Sequence, residues 1–340
     1  MSDAIPLHSA DLKIPTIADV RAAAGRIAGQ AVRTPLISSA DLNARLGARV
    51  FLKPECLQRT GSFKFRGAYN AISAMNPKAR ERGVVACSSG NHAQGVAAAA
   101  QLFEMQATIV MPADAPQTKI ERTRALGARV VAYDRASEDR DLIAQKVLAE
   151  TGGTFVHPYN DAFVIAGQGT AGLEAADDIA EAGLSLDDVL VCTGGGGLTA
   201  GVCLSVHDRF PDARIYSVEP ENFDDMARSL KSGTIQFNAT TSGSLCDALL
   251  TPSPGETGFA INWKRLAGGL VVSDAQALSA VAWAFANLKL VLEPGGAVAL
   301  AALLSGKIDV QGRTVLVVLS GGNVDAGMFE TALRTAESPA

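Results

Sequence analysis

Val189-Leu190-Val191-Cys192-Thr193-Gly194-Gly195-Gly196-Gly197-Leu198 changes character twice within one short stretch. The apolar residues predict a buried strand, the four glycines a tight turn, and the residues from there to about Val206 a helix. A strand that is apolar at every position has no face left for water. Such strands belong to parallel sheets covered by helices on both sides. Further apolar runs predict strands at Val50–Leu52, Gly83–Cys87, Ala107–Met111, Arg129–Tyr133, Thr154–Val156, Ile215–Val218, Leu270–Val272 and Val315–Leu319. Between them, helices are expected at Ser62–Met75, Asn91–Phe103, Pro116–Leu126, Glu138–Glu150, Val164–Glu181 and Asp274–Leu290, and after Pro294. The phrase Leu-Gly-Ala-Arg occurs at 46–49 and 126–129, each time as a helix-ending glycine before a strand. Lys231–Gly258, rich in Ser, Thr, Gly and Pro, predicts the longest loop. The expected fold is α/β, with two parallel-rich, open twisted sheets. No low-complexity linker divides the chain. A second domain is therefore inserted, residues 76–159, within a large domain made of 1–75 and 160–340.

The chain has 340 residues, 48% apolar and 19% charged, which is enough to fold around a sizeable core. A net charge of −5 with both signs interspersed gives no footprint for nucleic acid or an anionic membrane. The five cysteines (56, 87, 192, 203 and 246) form no CxxC pair, so neither a zinc site nor a disulfide framework is expected. Met1–Val20 carries Asp3, Asp11 and Asp19 and does not read as a signal peptide, and the apolar runs are too short to span a bilayer. A cytoplasmic protein is expected.

In parallel α/β sheets, ligands sit at the carboxyl ends of strands. Four polar or glycine-rich turns fall there: Ser88-Ser89-Gly90-Asn91-His92, Thr193–Gly197, Glu293-Pro294-Gly295-Gly296 and Ser320-Gly321-Gly322-Asn323. The backbone of Gly194–Gly197 can curl with its N–H groups inward before a helix start. It reads as a phosphate cup in preference to a flexible turn. Ser88–His92 suits a carboxylate and is also compatible with plain helix capping. Ser320 by itself is a turn residue, although a hydroxyl can bond a neutral ring nitrogen. Lys64 stands between Phe63 and Phe65. Aromatic neighbours favour the neutral, nucleophilic amine that forms a Schiff base, yet alone it reads as a helix-start lysine. Four carboxylates between Glu219 and Asp225 suit Mg²⁺ or Ca²⁺, or else a solvated helix start, which is commoner. No GxSxG elbow supports a hydrolase triad, and His157 and His207 are assigned nothing.

The motifs S-F-K-F-R-G-A, S-S-G-N-H-A-Q-G, A-G-Q-G-T (166–170), T-G-G-G-G-L, E-P-G-G-A and L-S-G-G-N occur in this order. In that order and spacing, over roughly residues 20 to 325, the chain resembles the fold-type II pyridoxal-phosphate enzymes (tryptophan synthase β-like). It is most similar to the serine/threonine dehydratases and serine racemases. The resemblance implies pyridoxal 5'-phosphate bound through Phe63, Lys64, Asn91, Gly194, Gly195, Gly196, Gly197, Leu198, Glu293 and Ser320, with Lys64 as the covalent anchor and base. It implies a substrate carboxylate on Ser88, Ser89, Asn91 and His92, and a divalent cation (Mg²⁺, Mn²⁺ or Ca²⁺) on Glu219, the Phe223 carbonyl and Asp225. The implied activity is a carbon–oxygen lyase converting L-threonine, L-serine or a related β-hydroxy amino acid to a 2-oxo acid and ammonia. A homodimer is implied as well.

Two departures keep alternatives open. Ser89 stands where many dehydratases have alanine, and in racemases that serine is an acid/base. Arg140 matches a racemase-branch arginine that contacts an acidic substrate group. Dehydration of 3-hydroxyaspartate and racemisation of serine or aspartate are therefore retained beside the main reading. Ser242–Leu249 replaces the usual alanine-aspartate-glycine, which leaves side-chain selection open. A cysteine synthase-like transferase is less well matched, because the asparagine loop is not T-S-G-N-T and the glycine loop lacks its threonines. With no residues after 340, a regulatory domain is not expected.

Overall fold

The computed structural model describes residues 13–115, 117–134 and 137–337. Most of the Met1–Val20 reading and the expected helix start at Pro116 lie outside these. The elements run α1 (Ile17–Ile27), α2 (Ala40–Leu46), β1 (Arg49–Pro54), α3 (Lys64–Ser73), α4 (Pro77–Glu81), β2 (Val84–Cys87), α5 (Asn91–Leu102), β3 (Ala107–Pro112), α6 (Gln117–Ala125), β4 (Arg129–Tyr133), α7 (Arg140–Thr151) and β5 (Thr154–Phe155). They continue with α8 (Ala162–Glu181), β6 (Asp188–Cys192), α9 (Gly197–Arg209), β7 (Arg214–Pro220), α10 (Asp225–Ser232), α11 (Glu256–Arg265), β8 (Leu266–Val272), α12 (Asp274–Trp283), α13 (Pro294–Leu304), β9 (Thr314–Leu319) and α14 (Ala326–Glu337).

Two sheets form, ordered β1-β9-β6-β7-β8 and β4-β3-β2-β5, and every ladder is parallel. The smaller sheet draws only on chain between Val84 and Phe155. In the larger sheet the earliest strand pairs with the last, Pro54 opposite Leu319. That pairing brings the chain just before Lys64 beside the turn after β9. The central strands β6 and β9 are buried at every position because each face carries its own apolar layer. One layer joins the sheet to α12 and α13 through residues such as Leu300 and Val317. The other joins it to α8 and α9 through Ile165, Val202 and Leu316.

The expected strands and helices are present, with shifted ends. Both Leu-Gly-Ala-Arg copies end a helix at a left-handed glycine, Gly47 (φ 58°) and Gly127 (φ 82°). The helix expected over Asp274–Leu290 stops at Trp283 and continues as one π turn, Ala284–Leu288. The Lys231–Gly258 loop ends sooner than expected, since α11 starts at Glu256. Strand β8 begins at Leu266, four residues before its apolar run, across Gly268-Gly269. A Cβ on Gly269 would lie 2.4 Å from the Ala227 methyl, so close packing of α10 explains a glycine inside a strand. Helices α1, α4, α10, α11 and α14 were not expected. The shortest of them, α4 and α10, have only five and eight residues and are rich in charge. No helix among the described residues is long and apolar enough to cross a membrane.

Candidate active site

Lys64 opens α3, its ammonium nitrogen 5.1 Å from the Phe63 ring centre. Lys64 Nζ donates to the Pro158 carbonyl at 2.8 Å. Withdrawal from water lowers its pKa to about 8, and the charge of Glu293 opposes that shift. Phe63 N donates to the Ser320 carbonyl at 3.2 Å, which joins the lysine loop to the end of β9. The Ser320 side chain is buried beside the Cys192 thiol.

Asn91 starts α5 at the carboxyl end of β2. Its Nδ2 donates to Glu293 Oε1 at 2.6 Å, and its Oδ1 accepts from Asn323 Nδ2 at 2.7 Å. Glu293 is almost fully buried, and burial together with the Asp247 charge raises its carboxyl to about 7. His92 is buried, and burial followed by the Lys64 charge depresses it to about 3, leaving a neutral ring. Its Nε2 donates to the Val156 carbonyl at 2.8 Å, because a carbonyl can only accept, and Nδ1 has no partner. Ser88 Oγ accepts from Gly90 N at 3.1 Å, and Ser89 lies partly exposed between them.

The glycine loop joins β6 to α9. Gly196 sits in the left-handed region (φ 81°), which turns the chain into the helix. The first N–H groups of α9 have no intrahelical acceptor. Neighbours press on the loop from several sides. A Cβ on Gly195 would lie 2.3 Å from the Tyr159 ring, one on Gly196 2.5 Å from the Met226 methyl, and one on Gly194 3.2 Å from Leu249 Cα. A side chain at any of these three positions would collide with the neighbour packed on it.

Thus Lys64, Phe63, Asn91, His92, Glu293, Ser320 and Gly194–Leu198 converge at the carboxyl ends of β2, β6 and β9. Arg140 lies further out, at the start of α7, with about half its side chain exposed and paired to Asp141. Burial raises both the Cys87 thiol and the Tyr159 phenol to about 12, and the Arg140 charge opposes that rise in each. Glu219, Phe223 and Asp225 form a separate cluster behind the glycine loop. Glu219 accepts from Met226 N at 2.7 Å and Ala227 N at 2.8 Å, and the Met226 methyl faces Gly196. Asp225 Oδ1 accepts from Asn238 Nδ2 at 2.6 Å, while its buried Oδ2 has no partner. Burial raises both carboxyls, Glu219 well above its usual range and Asp225 to about 6. No group of three or more His, Cys, Asp or Glu among the described residues could hold a metal ion.

Sequence reading missed Pro158 and Tyr159, and it named Asn323 only as part of the Ser320–Asn323 turn. Tyr159 packs on the loop, and Pro158 holds the lysine. Both follow the short strand β5, so the strand-end rule that found the other turns applies to them too.

Known proteins resemble this chain along most of its length. The family described as pyridoxal-phosphate dependent enzyme matches residues 27–321. An L-threo-3-hydroxyaspartate ammonia-lyase from Pseudomonas sp is 42% identical over 95% of this chain and all of its own length. An L-threonine ammonia-lyase from Thermotoga maritima is 40% identical over 94% of this chain and 78% of its own. A serine racemase from Schizosaccharomyces pombe is 37% identical over 93% of this chain and 97% of its own. Among solved structures, a T.th. threonine deaminase superposes with a TM-score of 0.86 at 43% identity, covering 92% of this chain and 99% of the other. Maize serine racemase gives 0.88 at 34% identity, covering 95% and 98%. A family match over residues 27–321, with relatives about two-fifths identical along nearly the whole chain, places this protein among the pyridoxal-phosphate-dependent enzymes of fold type II.

Proposed function

We propose that this protein is an ammonia-lyase that removes water from a β-hydroxy amino acid and releases a 2-oxo acid and ammonia. The convergence of a lowered lysine amine, a glycine loop at a helix start and the Asn91 amide carries this reading. These residues suit a phosphorylated pyridine aldehyde. Gly194–Leu198 would hold the phosphate, Phe63 the ring face, Asn91 the phenolic oxygen and the Ser320 hydroxyl the ring nitrogen, with Glu293 buttressing Asn91. When bound, the cofactor supplies an electron sink for the charge left at the substrate Cα.

The chain's own groups do the rest. Lys64 Nζ, neutral near pH 8, takes the Cα proton. Ser88 and Ser89, with the backbone N–H groups of Asn91 and His92, hold the substrate carboxylate at the start of α5, where its dipole favours an anion. The His92 ring is neutral, so the carboxylate is held by hydrogen bonds and the helix start and not by an imidazolium charge. Arg140, whose charge reaches the Cys87 thiol just before this turn, favours a substrate with a second carboxylate, so 3-hydroxyaspartate is the preferred substrate over serine and threonine. Ser89 gives a second reading, racemisation of serine or aspartate, with its hydroxyl as the second proton carrier.

The same reading places a divalent cation on Glu219, the Phe223 carbonyl and Asp225, supported by the buried, unpartnered Asp225 Oδ2. It also carries the inserted domain over 76–159 and a cytoplasmic homodimer. The test is ammonia and 2-oxo-acid release from L-serine, L-threonine and the 3-hydroxyaspartate isomers, with and without Mg²⁺, on wild type and Lys64→Ala. No ammonia from any of them would sink the lyase reading.

A further inference from the structure

We propose that Asn323 is a positioning residue that decides which end of the Asn91 amide faces the cofactor ring. This rests on reading Lys64 and Asn91 as cofactor contacts. Asn323 lies just past β9. Its Nδ2 donates to the Thr60 carbonyl at 2.7 Å and to Asn91 Oδ1 at 2.7 Å.

A backbone carbonyl can only accept, so the first bond requires nitrogen, not oxygen, at that end of the Asn323 amide. The same nitrogen then faces Asn91, and only an oxygen can receive it. Asn91 Oδ1 is thereby turned toward Asn323 and Asn91 Nδ2 away from it. One Nδ2 proton goes to Glu293 Oε1 at 2.6 Å. The second remains for the phenolic oxygen. In the reversed amide, an oxygen lone pair would meet that oxygen instead.

Glu293 cannot set this polarity on its own. Its carboxyl is raised to about 7, so it can be either a protonated donor or an ionised acceptor near neutral pH. The Thr60 carbonyl has no such freedom. The loop is also shaped to the amide. Thr60 takes φ 65°, uncommon for a residue with a side chain, and a Cβ on Gly61 would lie 2.6 Å from Asn323 Oδ1.

The test uses full-length protein saturated with pyridoxal phosphate. The lysine-bound cofactor absorbs visible light when its phenolic oxygen is unprotonated, and near-ultraviolet light when that oxygen is protonated. A donor at that oxygen favours the visible form. Asn323→Ala removes the relay. Asn323→Asp installs an acceptor, which draws Asn91 Nδ2 to itself and turns Oδ1 toward the ring. The visible to near-ultraviolet ratio is expected to fall about tenfold in Asn323→Asp and less in Asn323→Ala, with bound cofactor and far-ultraviolet ellipticity unchanged. Gly61→Ala keeps Asn323 but displaces its amide, and is expected to shift the ratio in the same direction. A wild-type ratio in Asn323→Asp overturns the assignment, as does a fall that tracks lost ellipticity. Wild type lacking any cofactor absorption overturns the cofactor reading itself, which separates the two failures.

Discussion

Replacing Gly201 by alanine tests how the fold places the glycine loop. Helices α8 and α9 cross where Gly169 meets Gly201. A Cβ on Gly201 would lie 2.6 Å from Gly169 Cα, Gly169 N and the Ile165 carbonyl oxygen. Carbon atoms settle at about 3.5–4.0 Å, so the helices must separate by roughly 1 Å. All three neighbours are backbone and cannot rotate aside. Overpacking of this kind costs about 1–3 kcal/mol. Without the clash, alanine would stabilise a helix by roughly 0.5–1 kcal/mol relative to glycine, so the two effects oppose each other in sign. Gly201 lies one turn after Gly197, and a rigid helix passes the displacement to the loop. A misplacement of about 1 Å can cost roughly a hundredfold in turnover. Gly25→Ala is the matched control, an exposed helical glycine with nothing within 4 Å. The assay is thermal unfolding of both variants with titration of pyridoxal phosphate. Gly201→Ala is expected to melt several degrees lower and bind the cofactor more weakly, while Gly25→Ala melts at or above wild type. A Gly201→Ala protein that melts like Gly25→Ala and binds the cofactor like wild type would refute the reasoning.

Three other outcomes follow from the site. Because the Lys64 amine is lowered from 10.5 to about 8, cofactor capture by cofactor-free protein should speed up with pH, be half-maximal near 8 and level off above that. A rate still climbing toward pH 10 in stopped-flow absorbance would contradict that. Ser89→Ala should abolish racemisation, followed by chiral chromatography, and leave elimination from L-substrates largely intact; equal loss of both would remove Ser89 as a second proton carrier. Arg140→Met should lower kcat/KM for 3-hydroxyaspartate by about ten- to a hundredfold and scarcely change it for serine. Equal losses on both substrates would mean that Arg140 shapes the turn and does not read a second carboxylate.

Much of the fold is legible in the chain because a strand buried on both faces must be apolar throughout. Val189–Cys192 and Val315–Leu319 could belong only to the middle of a covered parallel sheet. The short helices were not legible. The eight residues of α10 carry Asp225, Arg228 and Lys231, and what holds the helix is Glu219, which takes the N–H groups of Met226 and Ala227 across the β7 turn. No local pattern encodes that contact.

The site divides in the same way. The strand-end turns could be named from the sequence by residue type and spacing, since glycines, amides and hydroxyls at strand ends bind anions by local backbone geometry; Lys64 alone reads as a helix-start lysine, and its role came from the resemblance of the whole motif series. Their convergence was decided only by the tertiary structure. Pairing of β1 with β9 carries Lys64 beside Ser320, and the crossing of α8 with α9 puts Pro158 and Tyr159 against the lysine and the loop. Tertiary structure also decided the environments. Lys64 is lowered because it is withdrawn from water, and Asn91 is oriented by Asn323, 232 residues along the chain. Local sequence sets the chemistry of a group, but the solvent and partners that tune it come from segments far apart in the chain.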